Sequence, residues 1–200
     1  MSAAASNPSP FQRTGARELQ RQRTRAKLFE AALAEFAKVG FDRASVAEIA
    51  RRAGVSRPSF YFHFPTKEHV LLELQWHKEL EIAQRLEGCE NLAELLQALP
   101  DAVTDIYESI SDGDVARDMI SIYARRPDHL PLQDQPFPLV HQLERRFAEA
   151  AERGELRAGL DPRQATFLCL TAVFGYLNGG GRPGHFREDL RAAVSLYLAD

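Results

Sequence analysis

Arg57, Pro58, Ser59 and Phe62 stand close together in the segment SVAEIARRAGVSRPSFYFHF, residues 45–64. Their side chains suit one kind of chemistry. A guanidinium can make a bidentate contact to guanine, a hydroxyl can donate or accept, and a proline or aromatic ring can pack on a thymine methyl. His69, Glu73 and His77 form a second set, spaced i, i+4 and i+8, which metal ligands on one helix face can use. Solvated or interdomain polar residues are the plainer account of that spacing. No catalytic set stands out: there is no G-x-S-x-G, P-loop, H-E-x-x-H or Rossmann glycine pattern. Cys89 and Cys169, the two cysteines, have neither metal-type spacing nor the number for a disulfide framework, so a reducing, cytoplasmic setting is expected.

The elements that must hold Arg57 and its neighbours are legible from caps and periodicity. Ser45 with Glu48 reads as a capping box, and Val46, Ile49, Ala50 and Ala53 recur on one helical face. Gly54 suits a tight turn because it takes positive φ without strain. Ser56 then caps a second helix, with Pro58 in its first turn, where a missing N–H costs little. Phe60 and Phe64, at i and i+4, point inward and leave Arg57, Pro58, Ser59 and Phe62 on or near the outer face. Ala47 is too short to reach a base from the first helix. Helix, glycine turn, helix is the helix-turn-helix arrangement, whose second helix enters the DNA major groove.

Over residues 20 to 75 the chain resembles the tetracycline-repressor (TetR) family. The resemblance rests on Ile49-Ala50, Ala53-Gly54-Val55-Ser56, Phe60-Tyr61, His63-Phe64 and Lys67, together with the preceding helix RAKLFEAALAEFAKVGF. It implies an all-α homodimer: an N-terminal three-helix helix-turn-helix domain, then a larger helical ligand-binding and dimerisation domain, about nine helices in all. Carried over to this chain, Arg57, Pro58, Ser59 and Phe62 read bases, while Tyr61, His63 and Lys67 contact phosphates. Ser45 and Thr24 are further phosphate partners, at the N-terminal ends of helices 2 and 1. The implied activity is that of a repressor, not an enzyme, which binds a palindromic DNA operator and is released by a small, hydrophobic effector. No cofactor is implied. The other readings of the chain are a helical interaction module that does not bind DNA, or a metal-binding sensor.

The remainder matches that family only in length and helical pattern. Expected effector contacts are the apolar Trp76, Leu80, Ile106, Tyr107, Met119, Ile122, Tyr123, Phe137, Val140, Cys169 and Val173. A dimer surface is expected from Phe167, Leu170, Thr171, Phe174 and Leu177 on helix 8 and Leu190, Val194, Tyr197 and Leu198 on helix 9.

Charge divides the chain. Residues 1–67 hold 12 Lys+Arg and 5 Asp+Glu, net +7, whereas 68–200 hold 13 and 23, net −10. A basic end fits a polyanionic partner. Residues 1–17 are read as a disordered arm leading into a basic run, Arg13, Arg17, Arg21, Arg23 and Arg25. The DNA-binding domain is read over 18–66 and the effector domain over 67–200. Helix 1 is expected over 18–39, burying Ala26, Phe29, Leu33, Phe36 and Ala37. Pro127, Pro131, Pro136 and Pro138 mark a long loop. The N-terminus lacks the early cations and apolar core of a signal peptide, and no apolar run reaches membrane-spanning length.

Overall fold

A computed structural model of the chain describes residues 10–110, 113–124, 137–177 and 185–198. Residues 1–9 of the expected arm, the Ser111-Asp112 turn, the proline loop before Phe137 and the glycine-rich break after helix 8 lie outside the described residues. So do the side chains of residues 10–14, 113, 123, 124 and 186, which takes in Tyr123. Among the described residues there are nine helices: α1 Pro10–Val39, α2 Val46–Ala53, α3 Arg57–His63, α4 Glu68–Leu86, α5 Leu92–Glu108, α6 Gly113–Ala124, α7 Pro138–Glu152, α8 Pro162–Gly175 and α9 Phe186–Ser195. One isolated antiparallel bridge, Leu156 to Leu198, is the extent of β pairing among them. The chain divides into two compact units, Met1–Val70 and Leu71–Asp200.

In the first unit α1 packs on α2 and α2 on α3. α1 begins at Pro10, eight residues before the expected start; proline is tolerated in a helix's first turn, where its missing N–H costs little, and Gln12, Arg13, Ala16 and Arg17 are good helix formers. Its buried face is also rotated by one position. Leu28, Ala32 and Phe36 are enclosed, whereas Ala26 and Ala37 are exposed and Phe29 and Leu33 half-buried. Alanine at Ala26 and Ala37 does not mark a face, and the strict i, i+4, i+8 run of Leu28, Ala32 and Phe36 does. With Ile49, Phe60 and Phe64, each also fully buried, these residues make the small core, at about 1.5–3 kcal/mol per large side chain. Glu35, nearly enclosed on α1, takes Arg52 of α2 at 3.3 Å.

The second unit is built around α5, which packs on α9 and α7; α8 closes against α7 and α9. Asn91 caps α5 by accepting from Glu94 N at 2.9 Å. Asp161 caps α8 by accepting from the backbone of Arg163 and Gln164 at 2.9 and 3.1 Å. α5 runs unbroken through Pro100. Leu96, Leu99, Pro100 and Val103 are all buried there, and this packing outweighs the one backbone bond that proline removes. Outside the core, Arg187 of α9 reaches Asp101 and Asp105 of α5 at 2.9 and 2.7 Å.

Candidate nucleic-acid interface

The α2–α3 turn owes its shape to three residues. Gly54 sits at φ 71°, ψ 32°, left-handed backbone that a Cβ would strain. Val55 N–H returns to Ala50 O at 3.0 Å and Gly54 N–H to Arg51 O at 3.2 Å, the paired bonds of a Schellman helix end. Ser56 then accepts from Ser59 N at 3.3 Å and starts α3. The expected capping box at α2 does not form. Ser45 is the N-cap by position but its side chain makes no capping bond, and Glu48 turns instead to Arg51, at 2.6 and 2.8 Å. A fork-shaped guanidinium one turn away takes a carboxylate better than a single amide does.

α3 sorts its residues sharply. Phe60 and Phe64 are fully buried, His63 nearly so, while Phe62 is 74% exposed and Tyr61 42%. Arg57 and Pro58 are exposed and Ser59 half-buried. Arg57 leans toward Tyr61, Nη2 to hydroxyl 3.4 Å, with its guanidinium 5.8 Å from the ring centre. One short helix thus presents Arg57, Pro58, Ser59, Tyr61 and Phe62 to solvent on a rigid base. That is the donor, apolar and aromatic set needed for reading base edges in a major groove.

Three of the expected phosphate partners are placed differently from expectation. Thr24 lies mid-helix in α1, not at its N-terminal end, because the helix starts so early; its hydroxyl already donates to Gln20 O at 3.0 Å, so that proton is not available to a phosphate. Lys67 directs its ammonium to Phe41 O and Asp42 O at 2.6 and 3.0 Å and sits 4.4 Å over the Phe41 ring. It clamps the α1–α2 turn. The His63 imidazole is held below its ordinary pKa by burial and then by Arg25 and Arg21, so it presents a neutral ring. Arg25, not singled out from sequence beyond its place in the basic run, donates to His63 O and lies 4.2 Å over the Phe64 ring.

Comparison with known proteins settles what carries this motif. Residues 28–74 match the family model described as bacterial regulatory proteins, tetR family. The transcriptional regulator TtgR of Pseudomonas putida is 30% identical over 175 residues, spanning 79% of this chain and 78% of its own. The chain belongs to the TetR family of bacterial regulatory proteins. Among solved structures, SmeT, the repressor of the Stenotrophomonas maltophilia multidrug efflux pump SmeDEF, superposes with TM-score 0.59 at 25% identity over 88% of this chain and 91% of that one. Thermus thermophilus FadR, a repressor solved with lauroyl-CoA, shares the fold with TM-score 0.62 at 22% identity, over 86% and 92%. The chain is accordingly an all-helical, DNA-binding transcriptional regulator.

The second unit of this TetR-family chain places the remaining candidates as follows. Ile106, Tyr107, Met119, Phe137, Cys169 and Val173 are buried, and Trp76, Leu80, Ile122 and Val140 are half-buried. Burial pushes the Cys169 thiol up to about 12, so it stays protonated and unreactive at neutral pH. Two polar residues missed from sequence, Gln75 and Glu79, are fully enclosed on α4. Tyr107 donates to Gln75 Oε1 at 2.8 Å, and Gln75 Nε2 donates to Glu79 Oε1 at 2.9 Å. The buried Trp76 Nε1 beside them has no hydrogen-bond partner among the described residues.

Of the expected dimer residues on α8, Phe167 is 70% exposed. Thr171 is also exposed, and Leu170, Phe174 and Leu177 are half-buried. On α9 the expectation fails. Leu190, Val194 and Tyr197 are buried within their own chain, because α9 spends its apolar stripe on α5 and α8; Leu198 is half-buried in its bridge to Leu156. Besides Phe167, the large apolar groups left exposed in this region are Leu168 on α8 and Leu196 at the end of α9. Among the described residues no group of three His, Cys, Asp or Glu side chains is placed to hold a metal ion. Of the proposed triad, His69 is buried with Nδ1 3.0 Å from Thr66 Oγ1.

Proposed function

We propose that the chain is a dimeric repressor that reads a palindromic operator through α3 and is released by a small hydrophobic effector. The observation that carries the reading is the α3 surface, with Arg57, Pro58, Ser59 and Phe62 outward as base readers on a base of Phe60 and Phe64. Tyr61, the free hydroxyl of Ser45 and the third N–H of Lys67 supply phosphate contacts, which fix register without reading sequence. The compact unit ending at Val70 does the reading, and the rest of the chain binds effector and partner subunit.

One recognition helix spans only a few base pairs, so two copies are needed, about 34–36 Å apart. Phe167, Leu168 and Thr171 form the exposed strip of α8 that supports this dimer. SmeT, itself a repressor, supports repression as the direction of control. The effector-facing groups are apolar, with Trp76 and Tyr107 as the polar-edged pair; an apolar pocket with few oriented polar groups suits a hydrophobic ligand. No described helix is long and apolar enough to cross a membrane, and the site of action is where the operator is, the cytoplasm.

Trp76 is the sole tryptophan, so its emission reports the effector domain alone. A true effector changes that emission and lowers operator affinity over one concentration range. Linkage requires operator DNA to weaken the effector by the same factor. A ligand that tightens operator binding would reverse the direction proposed.

A further inference from the structure

α1 extends well past the matched helix-turn-helix. The family match begins at residue 28, and Leu28 is also the first buried residue among the described side chains of the helix: from residue 15 to 27 every position is exposed or half-buried. This projecting stretch carries Arg17, Arg21, Arg23, Arg25 and Lys27 against Glu18, five positive and one negative, net +4. Arg17, Arg21 and Arg25 follow at i, i+4 and i+8, so they form one ridge, about 12 Å long at 1.5 Å per residue. The ridge has a fixed direction. Its inner end, Arg25, is seated on the C-terminal end of α3 through His63 O and the Phe64 ring. Arg21 is close enough to depress the His63 imidazole as well.

We infer that this N-terminal extension of α1 is a second DNA-contacting element, which lays the Arg17–Arg21–Arg25 ridge along operator phosphates beyond the α3 site. It rests on the DNA-binding reading above. The occupant is duplex DNA because the ridge is continuous with the recognition helix and carries its counter-charge. Two successive phosphates of one strand fall within the ridge, since they rise only about 3.4 Å along the axis. Glu18 is built in as a brake: it holds Arg21 at 3.0 and 3.1 Å, a surface pair that a phosphate can displace.

The test uses the full chain on a duplex selected by it from a random-sequence pool, with anisotropy titrations across salt. The double variant Arg17→Ala/Arg21→Ala should lower the salt slope by about 0.9 for each phosphate left unneutralised, and affinity by about fivefold per phosphate near 0.15 M salt, as that slope requires. Glu18→Gln should do the opposite, tightening binding and steepening the slope. Arg23→Ala/Lys27→Ala, on another face of the helix, should change the slope less. Alanine keeps an exposed helix, and circular dichroism confirms it. If wild type binds the duplex and both Arg17→Ala/Arg21→Ala and Glu18→Gln match it, the inference is wrong while the repressor reading stands. Equal reductions from the two faces would also overturn it, by pointing to a diffuse field instead of a docked ridge. Wild type that binds no duplex removes the underlying reading itself.

Discussion

Lys67→Met separates two roles that one ammonium could play. The substitution keeps an apolar stem over the Phe41 ring and deletes the bonds to Phe41 O and Asp42 O, now 2.6 and 3.0 Å. Hydrogen bonds to a charged donor contribute about 1.5–3 kcal/mol each, and a cation over a phenyl ring about 0.5–1 kcal/mol at exposed sites. Lys67 is only half-buried, so water recovers much of this, and about 2 kcal/mol is the expected destabilisation. The effect is local to the α1–α2 turn. Its reporter is the Ala44 amide, which bonds Gly40 O and Phe41 O at 3.1 and 3.2 Å and should exchange about 30-fold faster, since about 1.4 kcal/mol is tenfold. Urea unfolding of the same variant should show a matching fall in stability. The operator salt slope is measured alongside. Unchanged exchange and stability with a slope reduced by about 0.9 per subunit would refute the clamp and make Lys67 a plain phosphate contact.

Three further outcomes are expected. Arg57→Ala should relax sequence preference at one or two operator positions and cost about 1–3 kcal/mol there, read by binding-site selection, with little change at random DNA. Phe167→Glu places a charge on the most exposed apolar group of α8, so it should leave the fold intact by circular dichroism and yet dissociate the dimer in light scattering, taking operator affinity with it. The His63 and His69 rings are both held below their ordinary 6.5, chiefly by burial. A depressed histidine binds fewer protons folded than unfolded, so stability of the first unit should hold above pH about 6.5 and fall as pH drops through that value; His69→Gln should flatten this fall in pH-dependent melts.

The helix-turn-helix was legible in the sequence because its determinants are local. Gly54, Ser56 and Pro58 act within a few residues of themselves, and the i, i+4 pair Phe60 and Phe64 can only face one way once the turn is set. The capping-box pattern at Ser45 is not realised for a competing local reason: Glu48 has Arg51 in reach. The α9 stripe shows the other limit. Leu190, Val194 and Tyr197 mark an apolar face, but periodicity does not say whether the partner is a second subunit or α5 of the same chain. The start of α1 failed on composition, since an Ala/Ser/Pro-rich tip hid the helix formers behind it. Gln75 and Glu79 gave no warning, because a polar pair at i, i+4 is ordinary on a helix surface and theirs is enclosed.

That enclosure constrains how α4 is able to move. Gln75 is tied to Tyr107 of α5 at 2.8 Å, and eight residues further along the carbonyl of Ala83 accepts from Gln142 of α7 at 3.1 Å. Two pins about 12 Å apart on one rod forbid slippage by a turn and rotation about the axis alike, since either would strand buried polar groups at about 1–3 kcal/mol each. α4 also crosses the boundary between the two compact units, which falls between Val70 and Leu71. Under the effector reading proposed above, a signal arriving at the pinned end of α4 would have to tilt the helix as a rigid rod or release both pins at once. The second route is a threshold, and only a ligand whose preference for the released state exceeds the cost of both pins will cross it.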